Sequence, residues 1–324
     1  MPEIRYLAAI NRALGDALEE DPTVVLFGED VAEAGGSFGA SRGLRDRFGP
    51  DRVFDTPISE AAIAGAAVGA ALSGLRPVVE IMFMDFTTLV MDAMVNQAAK
   101  ARFMFGGQSS VPMVLRAPHG GGLGAGPQHS QCLEAWFAHI PGLKVVCPSD
   151  PVSAYGLLRA AIADPDPVVV VENKALYAMK GEVSEALEAM PIGRARILRE
   201  GRDVTLVSYG AAVHTCRKAA DRLAAEGVEA EVLDLLSLQP WDEAAVLASL
   251  ARTHRLVVVH EAVEAFGVGA EIAARMADVG FDELDAPIAR VGAPFMPVPF
   301  SKALESAYIP SVDAVAGAVR RILA

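Results

Sequence analysis

The acidic residue Glu60 stands at the start of a run of small apolar residues, where a short predicted strand gives way to a predicted helix. The strand covers residues 53–55, and Ser59 is of the type that caps helix N-termini, which places Glu60 in the first turn. The helix dipole favours the ionised carboxylate by about 0.3–1 kcal/mol, whereas full burial can raise a carboxyl pKa by up to about 3–5 units. A buried Glu60 could therefore hold a proton and share it with a ring nitrogen. The alternative is a carboxylate that only satisfies the free N–H groups of the helix start.

The helix after Glu60 consists almost entirely of Ala, Gly, Val and Ile. This composition predicts a helix that is buried and closely packed, with Glu60 at its N-terminal end.

A second pair of acids, Glu29 and Asp30, follows the continuous apolar run 24–27. Such a run predicts a strand that is buried on both faces of a parallel sheet. Open α/β sheets bind ligands at the carboxyl ends of their strands, so these acids are candidates for ligand contact. A solvated turn is the alternative.

The glycine-rich segment 119–131 contains Gly120-x-Gly122-x-x-Ala125, which satisfies the letters of a dinucleotide-binding fingerprint. The context does not support it, because Pro127 interrupts the place where the helix should begin. In addition, Val145 stands where an acid should end the next strand. We therefore do not expect a nicotinamide or flavin dinucleotide.

The same glycines predict a pliable loop that delivers Gln128, His129 and Ser130 to a site. A lone loop histidine is more often a surface residue, which is the alternative for His129. His260-Glu261, at the end of a later strand, is expected to be a hydrogen-bonded pair at the sheet edge.

The composition excludes several classes of function. The net charge of −13 argues against nucleic acid or an anionic membrane as the main partner. The three cysteines, Cys132, Cys147 and Cys216, are scattered, which indicates neither a disulfide framework nor a zinc site. The first residues lack the pattern of a signal peptide, and the weakly polar run 61–75 is too short to span a bilayer. A cytoplasmic location is the resulting expectation.

Strands and helices alternate along the whole chain, which predicts an α/β fold with two tandem domains and mostly parallel sheets. The pattern weakens between residues 177 and 201, so the predicted domains are 1–192 and 193–324. The predicted strands are 24–27, 53–55, 77–83, 111–116, 143–147 and 168–172, then 204–208, 229–233, 255–260 and 288–291. The predicted helices are 4–19, 60–72, 87–104, 133–138 and one from Pro151, then 212–225, 241–251, 268–277 and 312–323.

Several motifs together resemble the β-subunit of the decarboxylating component of 2-oxo acid dehydrogenase complexes, which use thiamin diphosphate. The matching stretches, in chain order, are Gly28-Glu29-Asp30-Val31, Asp55-Thr56-Pro57-Ile58-Ser59-Glu60, Gly74-Leu75-Arg76-Pro77, Asn96-Gln97-Ala98-Ala99-Lys100, Gln128-His129-Ser130-Gln131, Pro141-Gly142-Leu143-Lys144-Val145-Val146 and Pro240-Trp241-Asp242. The resemblance implies a transketolase-like pyrimidine-binding domain followed by the transketolase C-terminal domain.

The resemblance also implies roles for individual residues. Glu60 would hydrogen-bond the N1′ nitrogen of the aminopyrimidine, and Phe86, otherwise an ordinary core aromatic, would pack on its face. His129 would lie near the substrate and the arriving lipoyl group, as a proton donor or charge stabiliser. Glu29 would contact the cofactor region or a proton path between paired sites, and Ile58 and Met82 would line the cofactor pocket.

A separate α-subunit supplies the Gly-Asp-Gly…Asn motif for magnesium and diphosphate in such enzymes, and this chain contains no such motif. The expected partners are therefore an α-subunit in a heterotetramer, a lipoyl acyltransferase and a small 2-oxo acid or acetoin. The C-terminal domain would serve dimerisation and docking of the acyltransferase. The resemblance further implies a potassium ion near Met113, Ala161, Ile162, Asp164 and Asp166.

The segments 82–86 and 103–107 are closer to members that use pyruvate or acetoin than to branched-chain enzymes. The resemblance thus implies a pyruvate- or acetoin-type dehydrogenase. A branched-chain substrate and a non-catalytic assembly subunit of the same fold are the alternatives, and a nicotinamide-dependent oxidoreductase is a third.

Overall fold

Mostly parallel strands with helices between them make up the computed structural model, which describes residues 3–183 and 187–324. The chain divides into two units: Met1–His119 with Trp136–Ile192, and Gly120–Ala135 with Gly193–Ala324. The predicted domains are continuous in sequence, whereas the structure groups segment 120–135 with the second unit. The reason is that backbone N–H groups of this segment bind side chains of that unit.

The first 192 residues contain the following helices and strands, in chain order: β1 (Glu3–Arg5), α1 (Tyr6–Glu20), β2 (Val24–Gly28), α2 (Leu44–Phe48), β3 (Val53–Asp55), α3 (Glu60–Leu72), β4 (Arg76–Glu80), a 3-10 helix (Met84–Val90), a π-helix (Asp92–Ala98), α4 (Ala99–Met104), β5 (Val114–His119), α5 (Glu134–Ala138), β6 (Lys144–Val146), α6 (Pro151–Ala163), β7 (Val168–Asn173), a 3-10 turn (Lys174–Leu176) and β8 (Lys180–Glu182). In the first unit the parallel strands lie in the order β6-β7-β5-β4-β2-β3. Helices α1 and α6 pack against each other, and β1 pairs with β8 in antiparallel fashion.

The start of α6 shows how local sequence fixes an element. Asp150 caps the helix by accepting a hydrogen bond from the Ser153 backbone N–H at 2.8 Å, and the Ser153 hydroxyl lies 3.0 Å from the Asp150 backbone nitrogen. Pro151 occupies the first turn, where its missing N–H costs nothing. The predicted helix start at Pro151 is confirmed.

The second half contains the following helices and strands: β9 (Arg196–Arg199), β10 (Val204–Ser208), α7 (Ala212–Ala224), β11 (Ala230–Asp234), β12 (Ser237–Gln239), α8 (Glu243–Thr253), β13 (Leu256–Val263), α9 (Val268–Val279), a 3-10 turn (Phe281–Glu283), β14 (Ala289–Ala293), α10 (Lys302–Tyr308) and α11 (Val312–Leu323). Its sheet has the order β14-β13-β10-β11-β9, with β9 the antiparallel edge. Its core joins the apolar residues of β10, β11 and β13 to those of α7 and α11.

The segment 87–104 is helical, but it is not the single regular helix that was predicted. It changes from a 3-10 helix to a π-helix before α4 begins. The hydroxyl of Thr87 donates to the Met84 carbonyl at 2.6 Å and that of Thr88 donates to the Asp85 carbonyl at 3.3 Å. Such hydrogen bonds to the carbonyl three residues back compete with the regular α-helical pattern.

The predicted strand 111–116 is displaced. Strand β5 begins at Val114 and continues through Pro118 to His119, where it pairs with Glu172 and Asn173 of β7. His119 therefore ends a buried strand and is not part of the loop.

Helix α3 is buried on one face only. Ile63, Ala64 and Ala67 are buried, whereas Ala62 and Gly65 are exposed on the opposite face. The expected full burial of this helix is therefore wrong for the single chain, because small residues on every face do not reveal which face is covered. Among the described residues, no helix has both the length and the apolar composition needed to cross a membrane.

Candidate functional site

Three neighbouring parallel strands of the first unit bring the acidic candidates to the side of the sheet where the strands have their carboxyl ends. Gly28 at the end of β2 lies in register with Asp55 of β3 and Glu80 of β4. The residues that follow each strand therefore leave the sheet side by side. Gly28 also permits the close approach of β4, because a Cβ atom there would lie 2.6 Å from the Glu80 carbonyl oxygen.

The loop after β2 is tied to the end of β3. The carboxylate of Asp55 accepts hydrogen bonds from the backbone N–H groups of Ala32, at 2.7 Å, and Glu33, at 3.2 Å. The N–H of Thr56 donates to the Gly28 carbonyl at 3.0 Å. These contacts fix the backbone on both sides of the acidic candidates.

Glu60 is the first residue of α3 and is 8% exposed. Ser59 occupies the N-cap position, as predicted, but its side chain makes no capping hydrogen bond. A buried carboxylate at the N-terminus of α3 benefits from the free N–H groups and the positive end of the helix dipole.

Glu29 is 5% exposed, so the alternative of a solvated turn is wrong for Glu29, whereas Asp30 is exposed. Burial, and after it the nearby charge of Glu60, raises the pKa of Glu29, although a hydrogen bond from the backbone of Ser59 acts in the opposite direction. Its Oε1 atom is buried and has no hydrogen-bond partner among the described residues. Glu60 therefore lies close enough to Glu29 to influence the ionisation of Glu29.

Phe86 lies in the 3-10 helix that packs against α3. Its half-buried ring meets that of Phe83 edge to face, with the centroids 5.7 Å apart. Met82 is also half-buried, whereas the side chain of Ile58 is 83% exposed. The structure thus places Glu29, Ile58, Met82 and Phe86 around the carboxyl ends of β2, β3 and β4, with Glu60.

A buried ionic cluster behind this edge has no counterpart in the sequence predictions. Arg116 donates to Glu172 from Nε and Nη2, at 2.7 and 2.8 Å, and to Glu80 from Nη1 at 2.6 Å. Burial raises the pKa of Glu80, although Arg116 opposes the shift, and the Tyr177 hydroxyl donates to Glu172 at 2.8 Å. The sequence contains one indication of this cluster, which is the presence of charged residues inside apolar strands. Such residues are buried only when they are paired.

Glu80 connects this cluster to the loop after β2, since its carboxylate accepts a hydrogen bond from the backbone of Ser37. Phe38 on the same loop packs against Phe83, at 5.8 Å between ring centroids, and against Tyr177 at 5.2 Å. The cluster therefore supports both the loop that follows Glu29 and the aromatic pair that includes Phe86.

His129 lies in the second unit, on the segment between β5 and α5, and is half-buried. The segment is a loop, as its glycines predict, and two of its backbone N–H groups bind side chains of the same unit. The N–H of Gly121 donates to Glu261 at 2.5 Å, and that of Gly124 donates to Glu305 at 2.9 Å. Gly120, Gly122, Gly124 and Gly126 have positive φ, a backbone conformation that other residues rarely adopt.

The predicted pairing of His260 with Glu261 is also wrong. The Nδ1 atom of His260 lies 3.1 Å from the Ala262 carbonyl oxygen, which assigns the ring proton to Nδ1. Burial lowers the pKa of His260, so its imidazole is neutral at pH 7. Glu261 instead binds the Gly121 backbone.

Two of the residues predicted to hold potassium bind a side chain of this protein. Nη1 of Arg76 donates to the carbonyl oxygens of Ile162, at 2.9 Å, and Asp164, at 3.1 Å. The Asp164 carboxylate also binds Lys144, with both oxygens at 2.7 Å. The other three members of the set are buried Met113 and Ala161 and the half-buried Asp166, whose carboxylate pairs with Arg102. Positive side chains thus bind Ile162, Asp164 and Asp166 in this arrangement, and the potassium site stays a prediction with which Arg76 competes.

Comparison with known proteins assigns the chain to a family. The family model described as "Transketolase, pyrimidine binding domain" matches residues 2–180, and "Transketolase, C-terminal domain" matches residues 193–315. The chain therefore belongs to the transketolase-like family whose members combine these two domains.

Within this family, the chain is similar to β subunits of dehydrogenases. It is 46% identical over 98% of its length to the pyruvate dehydrogenase E1 component subunit beta-2, mitochondrial, of Oryza sativa subsp. japonica, and covers 86% of that protein. It is 49% identical over 97% of its length to the acetoin:2,6-dichlorophenolindophenol oxidoreductase subunit beta of Bacillus subtilis, and covers 96% of it. The predicted family and fold class are thus confirmed.

A solved structure titled "Split gene transketolase, inactive beta4 tetramer" superimposes with a TM-score of 0.81, over 99% of this chain and 98% of that one. The two sequences are 24% identical, so this similarity concerns the fold alone.

Proposed function

We propose that this chain is the β subunit of a thiamin-diphosphate-dependent 2-oxo acid dehydrogenase of the pyruvate or acetoin type. With an α-subunit, it decarboxylates the substrate and transfers the acyl group to the lipoyl group of an acyltransferase. The observation that carries the proposal is the buried Glu60 at the N-terminus of α3, with the unpartnered Oε1 atom of Glu29 in the same region.

The residues at this edge fit an aminopyrimidine ring. A heterocycle needs an acid for its ring nitrogen, an aromatic or apolar face and a polar group at its rim. Glu60, Phe86 and Glu29 supply these three in one unit of the chain. When bound, thiamin diphosphate supplies the nucleophilic carbon and the electron sink that loss of CO₂ requires.

The role of Glu60 follows from its burial. A carboxyl group shielded from water keeps a hydrogen bond to a ring nitrogen with little competition, so it can hold or move the proton at N1′. The raised pKa of Glu29 makes that residue a proton donor or acceptor closer to neutral pH than an exposed glutamate. Met82 lines the rim of the ring, and Ile58 joins it there once the partner covers its exposed side chain.

The role proposed for His129 is to donate a proton, or to stabilise charge, where the acyl group meets the lipoyl group. It is supported by the fixed backbone of its segment. An imidazole on a fixed backbone can be held at a stated distance from a reacting atom, which is the main requirement of general acid catalysis.

The α-subunit is required because this chain contains no Gly-Asp-Gly…Asn motif for magnesium and diphosphate. The relatives are themselves named as subunits, which supports a heterotetramer in which the α-subunit holds Mg²⁺. The exposed Ile58 side chain is the contact we expect the partner to cover. Docking of the acyltransferase on the C-terminal domain and a cytoplasmic location stay predictions.

The decisive experiment is the substitution Glu60→Gln in the complex assembled with its α-subunit. Pyruvate, acetoin and 2-oxoisovalerate are assayed with thiamin diphosphate, Mg²⁺ and an artificial electron acceptor. We expect the variant to assemble normally and to lose at least about 100-fold in turnover, because the isosteric amide cannot move a proton.

The matched control is Glu271→Gln on α9, which changes an exposed glutamate and should leave turnover unchanged. Near-normal turnover by Glu60→Gln would reject the proposed role of this residue. If the wild-type complex is most active on 2-oxoisovalerate, the substrate is of the branched-chain type. If it turns over none of the three, the chain is a non-catalytic assembly subunit.

A further inference from the structure

Two carboxylates of the second unit hold the backbone of the glycine-rich segment 120–126. The N–H of Gly121 donates to Oε1 of Glu261 at 2.5 Å, and the N–H of Gly124 donates to Oε2 of Glu305 at 2.9 Å. Glu261 belongs to β13 and Glu305 to α10, so the segment is fixed from two separate elements.

Both carboxylates are removed from water. Glu261 is 8% exposed and Glu305 is 2% exposed. Hydrogen bonds from N–H groups to carboxylates are shorter and roughly twice as strong as those between neutral groups. Each buried carboxylate also depends on its donors, because an ionised group without partners is costly inside a protein. The segment and the two glutamates therefore stabilise each other.

The absence of a side chain at Gly121 allows this approach. A Cβ atom on Gly121 would lie 3.2 Å from Oε1 of Glu305 and 3.6 Å from Oε1 of Glu261. The two carboxylates thus converge on the same point of the backbone. Further along, Gly126 has φ +75°, and its carbonyl oxygen lies 3.4 Å from the backbone N of His129. The fixed segment therefore leads directly to the histidine.

One carboxylate oxygen of Glu305 is left without a hydrogen bond among the described residues. The Oε1 atom of Glu305 is buried and has no hydrogen-bond partner among residues 3–183 and 187–324. Oε2, which accepts from the Gly124 N–H, is therefore the oxygen through which Glu305 holds the segment.

We infer that Glu261 and Glu305 are positioning residues for His129, which fix the backbone of 120–126 and so place the imidazole for transfer of the acyl group to the lipoyl acceptor. The inference rests on the proposed function. It assigns no contact between either glutamate and the substrate, since both act through the backbone N–H groups of Gly121 and Gly124.

The test uses the complete complex with its α-subunit, carrying Glu261→Gln or Glu305→Gln. A neutral amide keeps the size of the side chain and an acceptor oxygen but removes the charge that strengthens the hydrogen bond. We expect each variant to reduce kcat for acylation of the lipoyl acceptor about tenfold while KM changes less than twofold. In a His129→Ala background the same substitutions should change kcat less than twofold, because a positioning residue acts only through the group it positions. Glu271→Gln is the control that should change neither value.

A second measurement does not depend on activity. Hydrogen exchange at the amides of Gly121 and Gly124 should become at least tenfold faster in the two variants, with exchange in β10 unchanged. Unchanged exchange in both variants overturns the inference whether or not the complex is active. So does a full, independent loss of kcat in the His129→Ala background. If the wild-type complex has no activity, the proposed function fails and with it the catalytic part of the inference, whereas exchange still decides whether the carboxylates hold the segment.

Discussion

The carboxylate of Glu29 is buried at the end of β2, and the charge of Glu60 at the start of α3 is one of the forces that raise its pKa. Removal of Glu29 from water is the larger cause, and Glu60 is the next. The charge at the start of α3 thus acts on the acid after β2, at the place where parallel sheets bind ligands.

The raised pKa of Glu29 predicts a pH-dependent effect of Glu29→Gln on stability. The folded protein holds the Glu29 proton above the ordinary pKa of 4.5, whereas the unfolded chain has released it. Ionisation of Glu29 therefore destabilises the fold as the pH rises from 4.5 through the raised folded-state pKa, and the penalty is complete above that value. The neutral amide avoids it, so Glu29→Gln should melt higher than the wild type at pH 7, and the difference should vanish as the pH falls to 4.5.

Thermal melting of the two proteins between pH 4.5 and 8 measures this difference. Glu33→Gln serves as control, since Glu33 follows the same strand but is largely exposed and pairs with Arg45. A difference in melting temperature that is constant across this pH range would contradict the explanation.

Much of the fold followed from the sequence because buried parallel strands are continuous apolar runs. Strand β10 and helix α11 have the bounds that were predicted, and β2 differs by one residue. Strand β9 and helix α10 were not predicted, because β9 is a mixed edge strand and α10 is short. Their positions depend on tertiary contacts, which local patterns do not contain.

The candidate site was predicted in part for a similar reason. Glu60 stands at a helix start that the sequence marks with Ser59 and the small residues that follow it. The Arg116 cluster and the two glutamates that hold segment 120–126 join residues 36 to 181 positions apart. Pairings over such distances leave no periodic signal, and only the unusual placement of a charge inside an apolar strand hints at them.

The Arg116 cluster predicts a large loss of stability for Arg116→Met. The substitution leaves two buried carboxylates, Glu80 and Glu172, without their cation. Breaking a buried ion pair by removing one partner costs about 3–5 kcal/mol, and we expect a loss in the free energy of unfolding of at least that size. Urea denaturation measures it.

The control for this prediction is Arg45→Met, which breaks the exposed pair with Glu33 and should change the denaturation midpoint little. The double variant Arg116→Met with Glu80→Gln should recover part of the loss, because one stranded charge is removed. Equal midpoints for Arg116→Met and the wild type would show that the cluster does not stabilise the fold.

The contacts of Arg76 compete with the predicted potassium ion. Its guanidinium already occupies the carbonyl oxygens of Ile162 and Asp164. Replacement of KCl by NaCl at constant ionic strength should therefore leave the melting temperature of the chain unchanged to within about 1 °C, whereas a specifically bound ion stabilises according to its concentration and affinity. A melting temperature several degrees higher in KCl would show that the ion displaces the guanidinium.

Alanine substitution is expected to affect stability differently at Gly142 and Gly74, although their φ angles are similar, +101° and +97°. A Cβ atom on Gly142 would lie 2.0 Å from the Ala99 carbonyl oxygen, whereas one on Gly74 would meet nothing within 4 Å. Both alanine variants carry the strain of positive φ, of order 1–3 kcal/mol, but only Gly142→Ala must also shift the backbone of α4. We therefore expect Gly142→Ala to lose at least about 2 kcal/mol more than Gly74→Ala in urea denaturation. Equal losses would mean that α4 moves away from residue 142 without cost.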